Sequence, residues 1–130
     1  MHRSPSLRRG VVALGAVQAA YYLATGVAPL VAMPAFQRIT GPKTDDWLVR
    51  TIGGLAIGMG AVLARNAATG RSDPIVGLAG AVPFGVSSLW YGATGRVSRV
   101  YLLDGAVEVA FAAGWLAALR RSPTGRGPRA

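Results

Sequence analysis

Val11 to Met33 is a run of 23 residues without a charge, and Pro74 to Gly95 is another of 22. Each exceeds the stretch of roughly 18 that nominates a membrane-spanning helix, and a hydrocarbon core about 30 Å thick needs roughly 20 residues of helix. Two weaker runs complete a set of four. Thr51 to Ala64 has 14 uncharged residues, about 21 Å of helix, so it spans only by starting near Trp47 and taking Arg50 into the membrane. Val100 to Leu119 has the length but carries Asp104 and Glu108. Without its first nine positions it would measure roughly 16 Å, so a spanning helix must take both carboxyls inside.

The expected fold is therefore all-α, an antiparallel four-helix transmembrane bundle. Its expected divisions are a basic cytoplasmic segment over 1–10, a transmembrane domain over 11–119 with helices at about 11–33, 47–64, 74–95 and 100–119, and a disordered Arg-rich tail over 120–130. Composition agrees: 52% of residues are hydrophobic and only 15% charged, against roughly 25% charged in a soluble domain. Such a chain is too apolar to stay disordered, and with no Cys it is no disulfide scaffold.

Basic residues set the expected orientation. Arg3, Arg8, Arg9, Arg65, Arg71, Arg120, Arg121, Arg126 and Arg129 fall on one side, nine against the five of Arg38, Lys43, Arg50, Arg96 and Arg99. The positive-inside bias then puts both termini in the cytoplasm. Arg8 and Arg9 followed by an apolar run also fit a signal peptide, but the run is too long and lacks a good small-x-small site, so an uncleaved first helix is expected. The tail has the charge of a nucleic-acid binder without the interleaved aromatics, so its expected partner is membrane lipid and not nucleic acid.

Small residues recur at four-residue spacing, in Gly54 and Gly58, Ala56 and Gly60, and Gly77, Ala81 and Gly85. In lipid such stripes allow close backbone approach, so these are expected bundle seams. Pro83 is expected to kink its helix.

Depth brings polar residues to one level. Counting from the outer boundary at Val100, Asp104 lies about 6 Å and Glu108 about 12 Å deep, on one helical face. Arg50 enters from the same side to about 4.5 Å, and Ser87 and Ser88 lie about 12 Å from the outer boundary. Tyr22 and Thr25 fall near the same level. Intramembrane ionisable groups are costly enough to be read as functional by default. The cluster of Arg50, Asp104, Glu108, Ser87, Ser88, Tyr22 and Thr25 is thus the expected ligand-binding or structural core, with Arg50 and Asp104 as an ion pair. Glu108, deeper and without a cation of its own, is the candidate for proton handling. An outer rim of Lys43, Asp45, Trp47 and Tyr101 completes it, with Thr44 or Asp45 capping the second spanning helix and Asp45 or Asp46 facing Arg96 or Arg99. His2 is the only His and there is no Cys, so no catalytic residue, metal or cofactor is expected.

Two stretches, Thr40-Gly41-Pro42-Lys43-Thr44-Asp45-Asp46-Trp47-Leu48-Val49-Arg50-Thr51-Ile52-Gly53 and Val97-Ser98-Arg99-Val100-Tyr101-Leu102-Leu103-Asp104-Gly105-Ala106-Val107-Glu108, resemble an uncharacterised family of small bacterial four-helix integral membrane proteins. That family has a Thr-Gly-Pro-Lys-x-Asp-x-Trp-Leu-Val-[Arg/Lys] loop and a Val-Tyr-Leu-x-Asp-x-x-x-Glu fourth helix. The likeness extends over roughly residues 20–116 and singles out Asp45, Trp47, Arg50, Tyr101, Asp104 and Glu108. It implies a bacterial cytoplasmic membrane and this architecture, and no reaction. Three functions follow as expectations. The first is a binding or accessory protein with an outward-facing polar site for a lipid-like or small amphipathic molecule. The others are a small proton-coupled transporter, and a membrane-embedded enzyme using Asp104 and Glu108 on a lipid. A homo-oligomer is left open.

Overall fold

The computed structural model describes residues 4–121, and among these the chain is helical, with short connections and no strand. The helices are α1 (Pro5–Val31), α2 (Met33–Thr40), α3 (Asp46–Ala68), α4 (Pro74–Ala93) and α5 (Val100–Arg121). Four of them, all but α2, are long and apolar enough to cross a membrane. The expected disordered tail lies, from residue 122 onward, outside the described residues.

The helix boundaries have local causes. α1 begins inside the segment expected to be a separate basic arm, because Ser4 accepts from the Leu7 N–H and Pro5 occupies the first turn, where its missing N–H costs nothing. It ends at Val31 because Pro34 has no N–H for the Leu30 carbonyl, and Ala32 leaves helical geometry at φ −144°. The chain then re-enters a short helix, α2, where only a loop was expected. Asp73 caps α4, accepting from the N–H groups of Ile75 and Val76. Asp45 takes the N-cap position of α3 without a side-chain bond. α4 runs on through Pro83, whose ring sits on the exposed side.

α1 packs tightly on α3, and α4 on α5, while α1 with α5 and α3 with α4 complete the ring. α3 and α5 therefore stand on a diagonal, as do α1 and α4. Connections of five and six residues, 69–73 and 94–99, join α3 to α4 and α4 to α5, short enough to make neighbours antiparallel. The α1–α3 seam is set by glycine. A Cβ on Gly26 would lie 2.6 Å from the Gly53 carbonyl oxygen, and one on Gly53 equally close to that of Gly26. Gly60 meets Ala19 and Leu23 in the same seam. Ala56, Gly77, Ala81 and Gly85 are buried as expected. Gly54 and Gly58 are not: they face outward with nothing within 4 Å, because they lie on the face of α3 opposite its buried residues.

The surface is inverted relative to a soluble protein. Val17, Leu55, Trp90 and Leu103 are each more than half exposed, whereas Gln18, Ser88 and Glu108 are buried. A bundle whose large apolar groups face outward on every long helix is stable only where the surroundings are apolar. This is a multi-pass membrane protein.

A candidate polar site inside the bundle

The buried polar side chains form two hydrogen-bonded chains that join α1, α4 and α5. The first begins at Trp115, whose Nε1 donates to Gln18 Oε1 at 2.5 Å. Gln18 Nε2 donates to the Gly77 carbonyl at 3.0 Å and to Tyr22 Oη at 3.1 Å. Tyr22 Oη donates to Glu108 Oε2 at 2.7 Å. The second chain centres on Asp104, whose Oδ1 accepts from Tyr21 and whose Oδ2 accepts from Ser88 Oγ at 2.5 Å. No fully buried side-chain nitrogen or oxygen among the described residues lacks a partner.

Helical spacing explains the convergence. Gln18 and Tyr22 are four apart, as are Asp104 and Glu108, and Trp115 lies seven beyond Glu108, so each set shares one face. Glycines of α4 make the room. A Cβ on Gly80 would come 2.7 Å from the Tyr22 ring, and one on Gly77 would overlap the Trp115 indole. Tyr22 and Gln18 thereby reach across the α1–α4 diagonal through the bundle centre. Phe84 and Phe111 meet the Tyr22 ring edge-on, at centroid distances of 5.4 and 6.4 Å, the geometry that ring quadrupoles favour.

The first chain has one direction. Indole N–H is a donor only, so it fixes the Gln18 amide with its oxygen toward Trp115 and its nitrogen toward Tyr22 and Gly77. The Gly77 carbonyl, an acceptor only, demands the same orientation. Tyr22 Oη then accepts from Gln18 and must send its own proton to Glu108, so Oε2 is always an acceptor. Any proton the Glu108 carboxyl takes up resides on Oε1.

Of the expected cluster, the structure brings together Tyr22, Ser88, Asp104 and Glu108. Arg50 does not join. It is exposed on α3, diagonal to α5, and both Asp104 oxygens are taken by hydroxyls, so the expected ion pair is absent. Thr25 and Ser87 are also exposed, and Thr25 Oγ1 donates back to the Tyr21 carbonyl. The residues that sequence reasoning passed over are Gln18, Tyr21 and Trp115. Gln18 had a signal, as the single side-chain amide in the first apolar run, and Trp115 lay on the Asp104–Glu108 face.

The rim is a strap. Gly41 at φ +91° takes a conformation that side chains disfavour. It turns Lys43 so that Nζ donates to the Thr40 carbonyl at 2.9 Å and lies 5.0 Å from the Tyr101 ring centre. Lys43 and Tyr101, one from each of the two sequence motifs, thus meet as a cation–π pair. Asp46 accepts from Gln37 Nε2 and not from Arg96 or Arg99, which are exposed. Asp45 and Trp47 are exposed as well. Among the described residues no group of three or more His, Cys, Asp and Glu stands together to hold a metal.

Fold and site together define a class, the small all-helical membrane protein with a buried carboxyl network. Comparison with family models, curated proteins and solved structures returns no match for this chain.

Proposed function

We propose that this is a binding or accessory protein of the membrane, with a polar site in its outward half for a lipid-like or small amphipathic molecule. The observation that supports this reading is the graded burial of the network. Gln18, Tyr22, Glu108 and Trp115 are sealed, whereas Asp104 and Tyr21 are half-buried. On that half-buried side the Asp104 carboxyl is held by two hydroxyls and no cation, an acceptor suited to a donor-bearing head group. The nine-to-five bias of basic residues supports cytoplasmic termini. The two motifs support membership of the bacterial four-helix family and placement in the cytoplasmic membrane.

Native mass spectrometry of the full chain in mild detergent tests the reading. A co-purifying lipid or metabolite should persist in wild type and in Arg50→Gln, and be lost in Asp104→Asn. Retention in Asp104→Asn at the wild-type level refutes it. Proton-coupled transport is the second reading, favoured by Glu108, which is 1% exposed and has one oxygen bound to Tyr22. Under that reading Glu108→Gln folds and loses transport, because an amide cannot cycle a proton. Lipid chemistry by Asp104 and Glu108 has less support, since both Asp104 oxygens already hold hydroxyls.

A further inference from the structure

The opposite end of the bundle carries a second feature, unrelated to the carboxyl network. Between the start of α1 and the end of α3 lies a groove of about 850 Å³, lined by Arg8, Arg9, Val12, Ala13, Ala16 and Ala67 among others. The antiparallel register that sets Gly26 against Gly53 and Ala19 against Gly60 continues to Val12 and Ala67. There alanines replace larger side chains and leave the space open. α1 has 27 residues, about 40 Å of helix against a hydrocarbon thickness of about 30 Å. Its last charge is Arg9, so Arg8 and Arg9 stand at head-group depth while Ala13 and Ala16 lie among acyl chains.

Charge at this end is one-sided. Arg8, Arg9, Arg65, Arg71, Arg120 and Arg121 all gather there, and the one acidic residue among the described residues of this end, Asp73, is engaged in capping α4. The Arg8 guanidinium lies at the groove beside the turn after α3: a Cβ on Gly70 would be 3.5 Å from its Nη2. The negative end of the α3 dipole favours that placement and leaves the guanidinium donors without a carboxylate.

We infer that this groove binds an anionic phospholipid, its phosphate on Arg8 and Arg9 and one acyl chain against Val12, Ala13 and Ala16. Arginine suits the role because its fork of N–H donors matches phosphate oxygens in pairs. The apolar groove supplies what a free phosphate ion would not use.

The test is a lipid titration of the purified full chain in mild detergent, read by native mass spectrometry. The probes are phosphatidylglycerol, phosphatidylcholine with the same acyl chains, and inorganic phosphate. Purified protein removes any effect of the substitutions on insertion. Phosphatidylglycerol should bind in preference to phosphatidylcholine, and phosphate should not displace it. Arg8→Gln with Arg9→Gln should weaken phosphatidylglycerol by roughly thirtyfold. Arg120→Gln with Arg121→Gln should change it less than about threefold. Ala16→Trp should weaken both lipids by filling the groove. Arg8, Arg9 and Ala16 are exposed, so the variants should keep wild-type helicity and melting, which circular dichroism checks. Equal losses from the two arginine pairs, no lipid preference, displacement by phosphate alone, or an indifferent Ala16→Trp would each overturn the inference.

Discussion

Gly77→Ala puts the bundle centre to the test. The added methyl would meet the Trp115 indole at three atoms, the farthest of them, Cδ1, at 2.5 Å, where carbon atoms settle at about 3.5–4.0 Å. The indole is 1% exposed and packed in the core cluster with Val11, Tyr22, Phe111 and Ala118, so its retreat has to displace neighbouring side chains. Overpacking of this kind costs about 1–3 kcal/mol. Retreat of the ring also withdraws Nε1 from Gln18 Oε1, and a buried acceptor left without its donor costs about 1–3 kcal/mol more. The expected loss is therefore about 2–6 kcal/mol. Gly58→Ala is the control, since it adds the same methyl to an outward face with nothing within 4 Å. It should be neutral or gain up to about 1 kcal/mol from helix propensity. Equilibrium unfolding in mixed micelles, followed by circular dichroism, measures both. In a Trp47→Phe, Trp90→Phe background, emission reports on Trp115 alone and should shift to the red in Gly77→Ala. Equal stability of the two alanine variants, with unshifted emission, would refute the central packing.

Other expectations follow from the same geometry. Reporter fusions after Arg71 and after Arg121 should report cytoplasm, and one within Gly41 to Asp45 the outside; the reverse pattern overturns the proposed orientation. Arg50→Gln should cost less than about 0.5 kcal/mol, as exposed substitutions do, and a double-mutant cycle with Asp104→Asn should be additive; a coupling above about 1 kcal/mol would restore the ion pair. Tyr22→Phe should cost about 1–3 kcal/mol, because it strips Glu108 Oε2 of its donor and Gln18 Nε2 of one acceptor. Glu108→Gln should cost less than Glu108→Leu, since the amide oxygen still accepts from Tyr22; equal losses would mean that this hydrogen bond contributes nothing.

The four spans were legible because length and charge exclusion depend on the solvent, and the bilayer accepts few alternatives. Depth also placed Ser88, Asp104, Glu108 and Tyr22 in one layer. What depth does not carry is azimuth. Arg50 stands at a suitable level, yet α3 is diagonal to α5, and which helices face each other is decided by seams such as Gly26 with Gly53. Gly54 and Gly58 mislead for the same reason: their spacing is that of a seam, and their face is not. Gln18 and Trp115 escaped because the layer was drawn too thin. Glu108 to Trp115 is seven residues, about 10 Å along the axis, so the network runs down the bundle as well as across it.

A carboxyl held by hydroxyls differs from one held by a guanidinium in what it permits. An arginine partner cannot accept a proton or turn into an acceptor, so an Arg50–Asp104 pair would lock Asp104 in its charged form. Tyr21 and Ser88 have rotatable hydroxyls, and each can donate to a carboxylate or accept from a carboxylic acid without a helix moving. The Glu108 chain lacks that freedom on one side, because Trp115 and the Gly77 carbonyl orient Gln18, and Gln18 orients Tyr22. Two carboxyls one turn apart thus stand in opposite settings, Asp104 adaptable and half-buried, Glu108 sealed with a fixed donor at Oε2. Under the proposed binding role, a molecule approaching the half-buried side of the network would meet the adaptable carboxyl first. An effect on the sealed one can act directly through space, since the two carboxyls stand one turn apart on one face, as well as through the Tyr21–Tyr22 step of α1.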